Sequence, residues 1–154
     1  MNKTSRFVYV TFIRATPQKV WDAFTKPEQT RRYWHGVTQV SDWTPGADWK
    51  MTFADGRIAD AGRVVEIDPP RRLVLEWRNE FMPELKAEGF SRLTYLLEPQ
   101  GEMVKLTVTH EMPHPGSEFI EKVSGGWPII LSSLKSLLET GESLEATRRW
   151  PEGV

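Results

Sequence analysis

Apolar and polar residues alternate with period two over several short stretches of this chain, then give way to a three-to-four-residue period near its end. The first stretch, Phe7–Ile13, is β-branched and aromatic throughout and predicts a strand. Thr16 then stands where a helix N-cap would, with Pro17 at the first helical position, where its missing N–H costs nothing. Val20, Trp21 and Phe24 have helical spacing, so a short helix follows with Trp21 in its core face. Pro27 interrupts it, and Glu28–Tyr33 predicts a second short helix. A run of strands comes next. Val37–Asp42 is weakly patterned, whereas Trp49, Met51 and Phe53 alternate with Lys50, Thr52 and Ala54 and predict a half-buried strand. Asp55-Gly56 is a hairpin signal. Ala59–Ile67 reads as a strand closed by Asp68-Pro69-Pro70, and Leu73, Leu75 and Trp77 alternate through another. Residues 79–88, with Pro83 among them, read as a loop. Leu93, Tyr95 and Leu97 alternate up to a turn at Gln100-Gly101, and Val104, Leu106, Val108 and His110 share one face of the last strand.

From Phe119 to Leu138 the apolar residues recur at i, i+3 and i+4, which predicts a long helix over about residues 117–140. Gly125, Gly126 and Pro128 predict a kink or short break in its middle, since two glycines cost about 1 kcal/mol each and a proline about 3. Gly141 terminates it, and the tail 142–154 has room for one further helical turn. Consecutive strands with short turns imply an antiparallel meander. Its buried face needs a cover, which the final helix alone is long enough to supply. The expected fold is therefore α+β: a curved antiparallel sheet of about six or seven strands around a long C-terminal helix, with two short helices after the first strand. The whole of residues 1–154 reads as one domain, its core over about 5–140 and a tail over 141–154.

Composition narrows the function classes. The formal net charge is -1 with no block of like charge, so nothing asks for nucleic acid or an anionic membrane. No apolar run reaches the length of a membrane span, and the first residues lead into a strand pattern rather than a signal segment. The absence of cysteine removes disulfides, thiolate metal sites and cysteine nucleophiles, and fits a cytoplasmic location. Seven Trp, seven Phe and three Tyr change the picture most, because aromatic side chains fill cores and line ligand pockets alike.

The order of elements resembles the helix-grip fold of START-like (SRPBCC, Bet v-like) proteins. The motifs resemble the branch named for the activator of the heat-shock-protein-90 ATPase. They are Ala15 to Phe24, Thr25-Lys26-Pro27-Glu28 and Tyr33-Trp34; then Gly62, Val64, Glu66, Pro69, Pro70 and Leu73; then Thr109-His110, Gly126-Trp127, Leu131 and Leu134. Within that branch the chain is similar to stand-alone bacterial members. The co-chaperone role belongs to eukaryotic proteins with an additional N-terminal domain, for which this length leaves no room. The resemblance implies a cavity for an apolar or amphipathic small molecule.

The expected cavity wall comprises Trp34, where the small helices meet the sheet; Trp49, Met51, Phe53, Trp77, Tyr95, Val108 and His110 from the strands; and Trp127, Ile130 and Leu131 from the covering helix. His110-Glu111-Met112-Pro113-His114 formally matches a zinc-protease pattern, but strand alternation sends His110 and Glu111 to opposite faces and Pro113 resists a helix, so no metal site is expected. No Gly-rich phosphate loop and no nucleophile–base arrangement can be assigned, and no cofactor is expected. The leading expectation is binding of a small hydrophobic ligand. The alternative is an enzyme of cyclase, dehydratase or hydrolase type using His110 as acid or base, for which a second titratable group within reach of His110 would be the sign. A protein-interaction or chaperone-regulator module is the third, with an exposed apolar patch as its sign. A homodimer is compatible with the sequence.

Overall fold

A computed structural model describes residues 4–150. Seven strands form one antiparallel sheet: β1 (Ser5–Ile13), β2 (Thr38–Ser41), β3 (Asp48–Thr52), β4 (Ile58–Asp68), β5 (Arg72–Asn79), β6 (Ser91–Gln100) and β7 (Met103–Met112), in the order β1-β7-β6-β5-β4-β3-β2. Helices α1 (Pro17–Thr25) and α2 (Pro27–Tyr33) follow β1, α3 (Pro83–Lys86) follows β5, and α4 (Glu118–Thr140) follows β7. The helix-grip architecture is thus the one found, with α4 lying in the concave face of the sheet. The alternation works as the pattern demands: Leu73, Leu75 and Trp77 on β5, Leu93, Tyr95 and Leu97 on β6, and Val104, Leu106, Val108 and His110 on β7 are all buried.

Local chemistry sets the helix ends. Thr16 accepts a hydrogen bond from the Lys19 amide at 3.2 Å, and Pro17 opens α1. Pro27 opens α2, which is locked to α1 by the Tyr33 hydroxyl donating to the Ala23 carbonyl at 2.7 Å. Ser117 caps α4 by accepting from the Ile120 amide at 3.0 Å, and Gly141 closes it at φ 88°, donating its amide to the Leu137 carbonyl at 2.9 Å.

Two expectations are corrected. First, α4 runs unbroken from Glu118 to Thr140 through Gly125, Gly126 and Pro128, with no break. The local penalty is about 5 kcal/mol. Burial of Trp127, Ile130, Leu131, Leu134 and Leu137 on the sheet side contributes about 2 kcal/mol each and outweighs it. Second, residues 79–88 are not simply a loop. They carry α3, which starts at Pro83 and buries Leu85. Beyond it the Glu88 carboxylate accepts from the Ser117 hydroxyl at 2.5 Å and from the Phe119 amide at 3.0 Å, which pins this segment to the start of α4.

Two register shifts, between Met51 and Thr52 and between Val64 and Glu66, bend the sheet around the helix. Gly62 lies between them, opposite Trp49 on β3 and Trp77 on β5. A Cβ there would stand 1.7 Å from the Glu76 carbonyl oxygen, so only glycine permits this approach of β4 to β5. After α4 the chain turns back through a 3-10 turn, Glu145–Thr147, and Trp150 packs edge-on against Phe53, Phe81 and His35.

Candidate functional site

A cavity of about 360 Å³ lies between α4 and the sheet, toward the end formed by β3, β4 and β5. Four tryptophans, Trp34, Trp77, Trp127 and Trp150, stand in its wall. Trp34, at the end of α2, has its ring centroid 5.1 Å from that of Trp127 on α4 and 6.0 Å from that of Trp77 on β5. Met51 and Ile130 join them, and Phe81, Met82 and Leu85 close the α3 side. The rim is polar. Lys122 is exposed there, and His35 donates its Nδ1 proton to the Arg149 carbonyl at 3.1 Å, while its amide donates to the Thr147 carbonyl at 2.6 Å. Those bonds bring the tail across the mouth and put Trp150 in the wall.

Of the residues expected at the cavity, Trp34, Met51, Trp77, Trp127 and Ile130 line it. Trp49, Tyr95, Val108, His110 and Leu131 lie outside that wall, buried in the core beyond it. Phe53 faces a second, smaller concavity of about 270 Å³ behind Trp150. Trp49 packs tilted against Trp77, with centroids 4.7 Å apart, and donates its indole proton to Gln39 Oε1 at 3.0 Å. Tyr95 stacks on Phe24 at 4.1 Å.

His110 is completely buried and fully bonded. Its Nδ1 accepts from the Trp127 indole N–H at 3.1 Å, and its Nε2 lies 2.8 Å from the Ser91 hydroxyl, which in turn donates to the Trp77 carbonyl at 2.8 Å. These partners fix the neutral tautomer with the proton on Nε2. Burial pushes the ring down to about 3, so it stays neutral at physiological pH. Among the described residues no titratable side chain bonds to it. Glu111, on the opposite face, pairs with Arg6 at 3.5 Å, and among the described residues no three His, Asp or Glu side chains converge as metal ligands.

Sequence reading missed two polar residues of the wall, Asp60 and Asn79. The register sets Asp60 on β4 between Met51 of β3 and Asn79 of β5, with Trp77 one step along the same face. Asp60 is 7% exposed, and its Oδ1 accepts from the Trp77 indole N–H at 2.9 Å. Burial lifts its carboxyl to about 7; the Trp77 donor opposes the shift and the charge of Glu80 adds to it. Asn79 spends its Oδ1 on the Met82 amide at 2.9 Å, which starts α3. The available signal was parity. Asp60 and Gly62 fall on the same side of their strand as Val64, an apolar residue in a strand whose other side carries Arg63.

An indole-lined cavity between a bent antiparallel sheet and one long C-terminal helix defines a START-like helix-grip domain. Residues 14–139 match the family described as Activator of Hsp90 ATPase homolog 1-like protein, and the chain belongs to that family. No curated protein matches the sequence. Among solved structures, CalU16 from Micromonospora echinospora is similar over 92% of this chain and 78% of its own, at 20% identity and a TM-score of 0.71. The Aha1 dimer from Colwellia psychrerythraea is similar over 90% and 99%, at 19% identity and a TM-score of 0.73. DynU16, from the dynemicin biosynthetic locus, is similar over 97% of this chain and 51% of its own, at 21% identity and a TM-score of 0.71. At these identities the likeness is one of fold. No helix among the described residues is long and apolar enough to cross a membrane.

Proposed function

We propose that this protein binds a small apolar or amphipathic molecule in the cavity between the sheet and α4. The observation that carries the reading is Gly126. It sits inside a helix, at a cost of about 1 kcal/mol against alanine. It lines the cavity, and a Cβ built on it meets nothing within 4 Å. A position that forgoes helix propensity and packing beside three tryptophans keeps volume open, and about 360 Å³ suits a molecule of two or three rings. The enzymatic alternative draws little support from His110, which is sealed from the cavity, saturated and held neutral. An interaction module has some support in Val8, Val10 and Phe12, partly exposed along the edge strand β1, but these three side chains make a narrow stripe.

The test is a titration of the wild-type protein and Gly126→Leu with prodan, a neutral fluorophore whose emission reports an apolar environment. Native mass spectrometry of protein taken directly from cells accompanies it. Saturable one-to-one binding is expected for the wild type, weakened about tenfold or more in Gly126→Leu, whose melting temperature should be unchanged or higher. Equal binding by both proteins would overturn the reading.

A further inference from the structure

Among the described residues, apart from exposed Lys122 and half-exposed His35 at the rim, the cavity wall holds one ionisable side chain, Asp60. Its surroundings are unusual for a buried carboxylate. One oxygen has the Trp77 indole proton; among the described residues nothing hydrogen-bonds to the other, Oδ2, and no Lys or Arg pairs with the group. The charge that acts on it is Glu80, of the same sign, itself occupied by Arg78 at 2.5 Å and Lys86 at 3.4 Å. Buried carboxylates ordinarily gather a counter-charge or several donors, because an ion taken out of water without them is costly. Here the missing partners lie on the cavity side, where Trp34, Trp77 and Trp127 stand within 6.0 Å of one another. A desolvated carboxylate beside a cluster of indole rings is the combination that favours an organic cation: the oxygen accepts a charge-assisted hydrogen bond, and a ring face reached by the same positive charge attracts it. A hydroxyl would supply the hydrogen bond without the charge, and a carboxylate would be repelled.

Building on the pocket reading above, we infer that Asp60 is the polar anchor of this cavity and selects an apolar molecule carrying a protonated amine, whose N–H donates to Asp60 Oδ2 beside the packed rings of Trp34, Trp77 and Trp127. The body of the ligand then lies toward Ile130, Phe81 and Met82, and Gly126 leaves it room. Lys122 does not compete for the carboxylate, since it is exposed and solvated at the rim.

Three isosteric probes separate the possibilities: 4-phenylbutylamine, 4-phenylbutan-1-ol and 4-phenylbutanoate, titrated calorimetrically at pH 8 into the wild type and Asp60→Asn. The wild type should bind the amine about tenfold or more tighter than the alcohol, and the carboxylate most weakly. Asp60→Asn, which keeps the shape and removes a buried charge, should lower the amine to about the affinity of the alcohol and change the alcohol by less than about threefold. Amine and alcohol binding alike to the wild type, or an amine preference that survives in Asp60→Asn, would overturn the inference about Asp60 and leave the pocket standing. Failure of all three probes together with prodan would overturn the pocket reading, and the anchor with it.

Discussion

His110 and Asp60 stand on the same concave face, each buried and each bonded to an indole N–H, yet they are opposite in kind. His110 lies where β7 meets α4, its ring edge-on to Phe119 at 5.2 Å and both nitrogens spent on Trp127 and Ser91. Asp60 lies across Trp77 from it, with one oxygen spent and one left to the cavity. Trp77 belongs to both: its carbonyl ends the His110 relay and its indole proton holds Asp60. Burial alone therefore does not distinguish a structural polar group from one facing an open cavity. The count of satisfied hydrogen-bonding positions does, because a saturated group has nothing left to offer.

The largest test removes the contact that closes the histidine side. Trp127→Ala should cost about 3–5 kcal/mol in denaturant unfolding, through lost indole volume and an orphaned His110 Nδ1. Trp127→Phe should cost less, about 1–3 kcal/mol, since it retains most of the ring and loses the donor. If Trp127→Ala unfolded at the wild-type midpoint, the placement of Trp127 against His110 would be wrong.

The two groups should next be separable by pH. Asp60 titrates near 3.8 when unfolded and about 7 when folded, so the native state holds a proton the unfolded chain has released, and its contribution to stability is lost as pH rises from about 4 to 7. His110 titrates near 6.5 when unfolded and about 3 when folded, so its contribution is present above about pH 6.5 and lost as pH falls toward 3. The slopes oppose each other between about pH 4 and 6.5, each on the order of 4 kcal/mol over its full window. Asp60→Asn should unmask the histidine slope, giving a protein that gains stability at neutral pH and loses it more steeply in acid. Identical pH profiles of unfolding free energy for the variant and the wild type would remove Asp60 from the account.

The smallest effect concerns a polar atom that is neither saturated nor open. Tyr95 is wholly buried, and among the described residues its hydroxyl has no hydrogen-bond partner. Tyr95→Phe should be neutral or stabilising by up to about 1 kcal/mol by thermal melting, where the same loss at a bonded hydroxyl would destabilise. A clear destabilisation would mean that Tyr95 has a partner and belongs with His110.

How much of this was legible depended on what each feature rests on. Period-two alternation was enough to orient Trp49, Trp77, Tyr95 and His110 inward, and the helical period from Phe119 was enough to supply their cover. Which inward residues meet cover and which meet open space is a different quantity, since it depends on where α4 and the tail lie along the sheet. Tyr95 and Trp77 are alike in pattern, but one stacks on Phe24 and the other borders the cavity. Asp60 escaped notice because its strand is bent by two register shifts and two of its inward positions, Asp60 and Gly62, are an aspartate and a glycine rather than apolar residues. The break expected at Gly125–Pro128 was a local inference, and tertiary burial overrode it.

Trp34, Trp49, Trp77 and Trp127 form a chain of rings with neighbouring centroids 4.7 to 6.0 Å apart. Indoles so close exchange excitation faster than they emit, so light absorbed by any of the four is shared by the set. Three of them border the cavity, and a molecule bound against one ring would change the emission of all. A molecule taken up as proposed would therefore be expected to change the colour or brightness of the shared emission, a gauge of occupancy readable without a label.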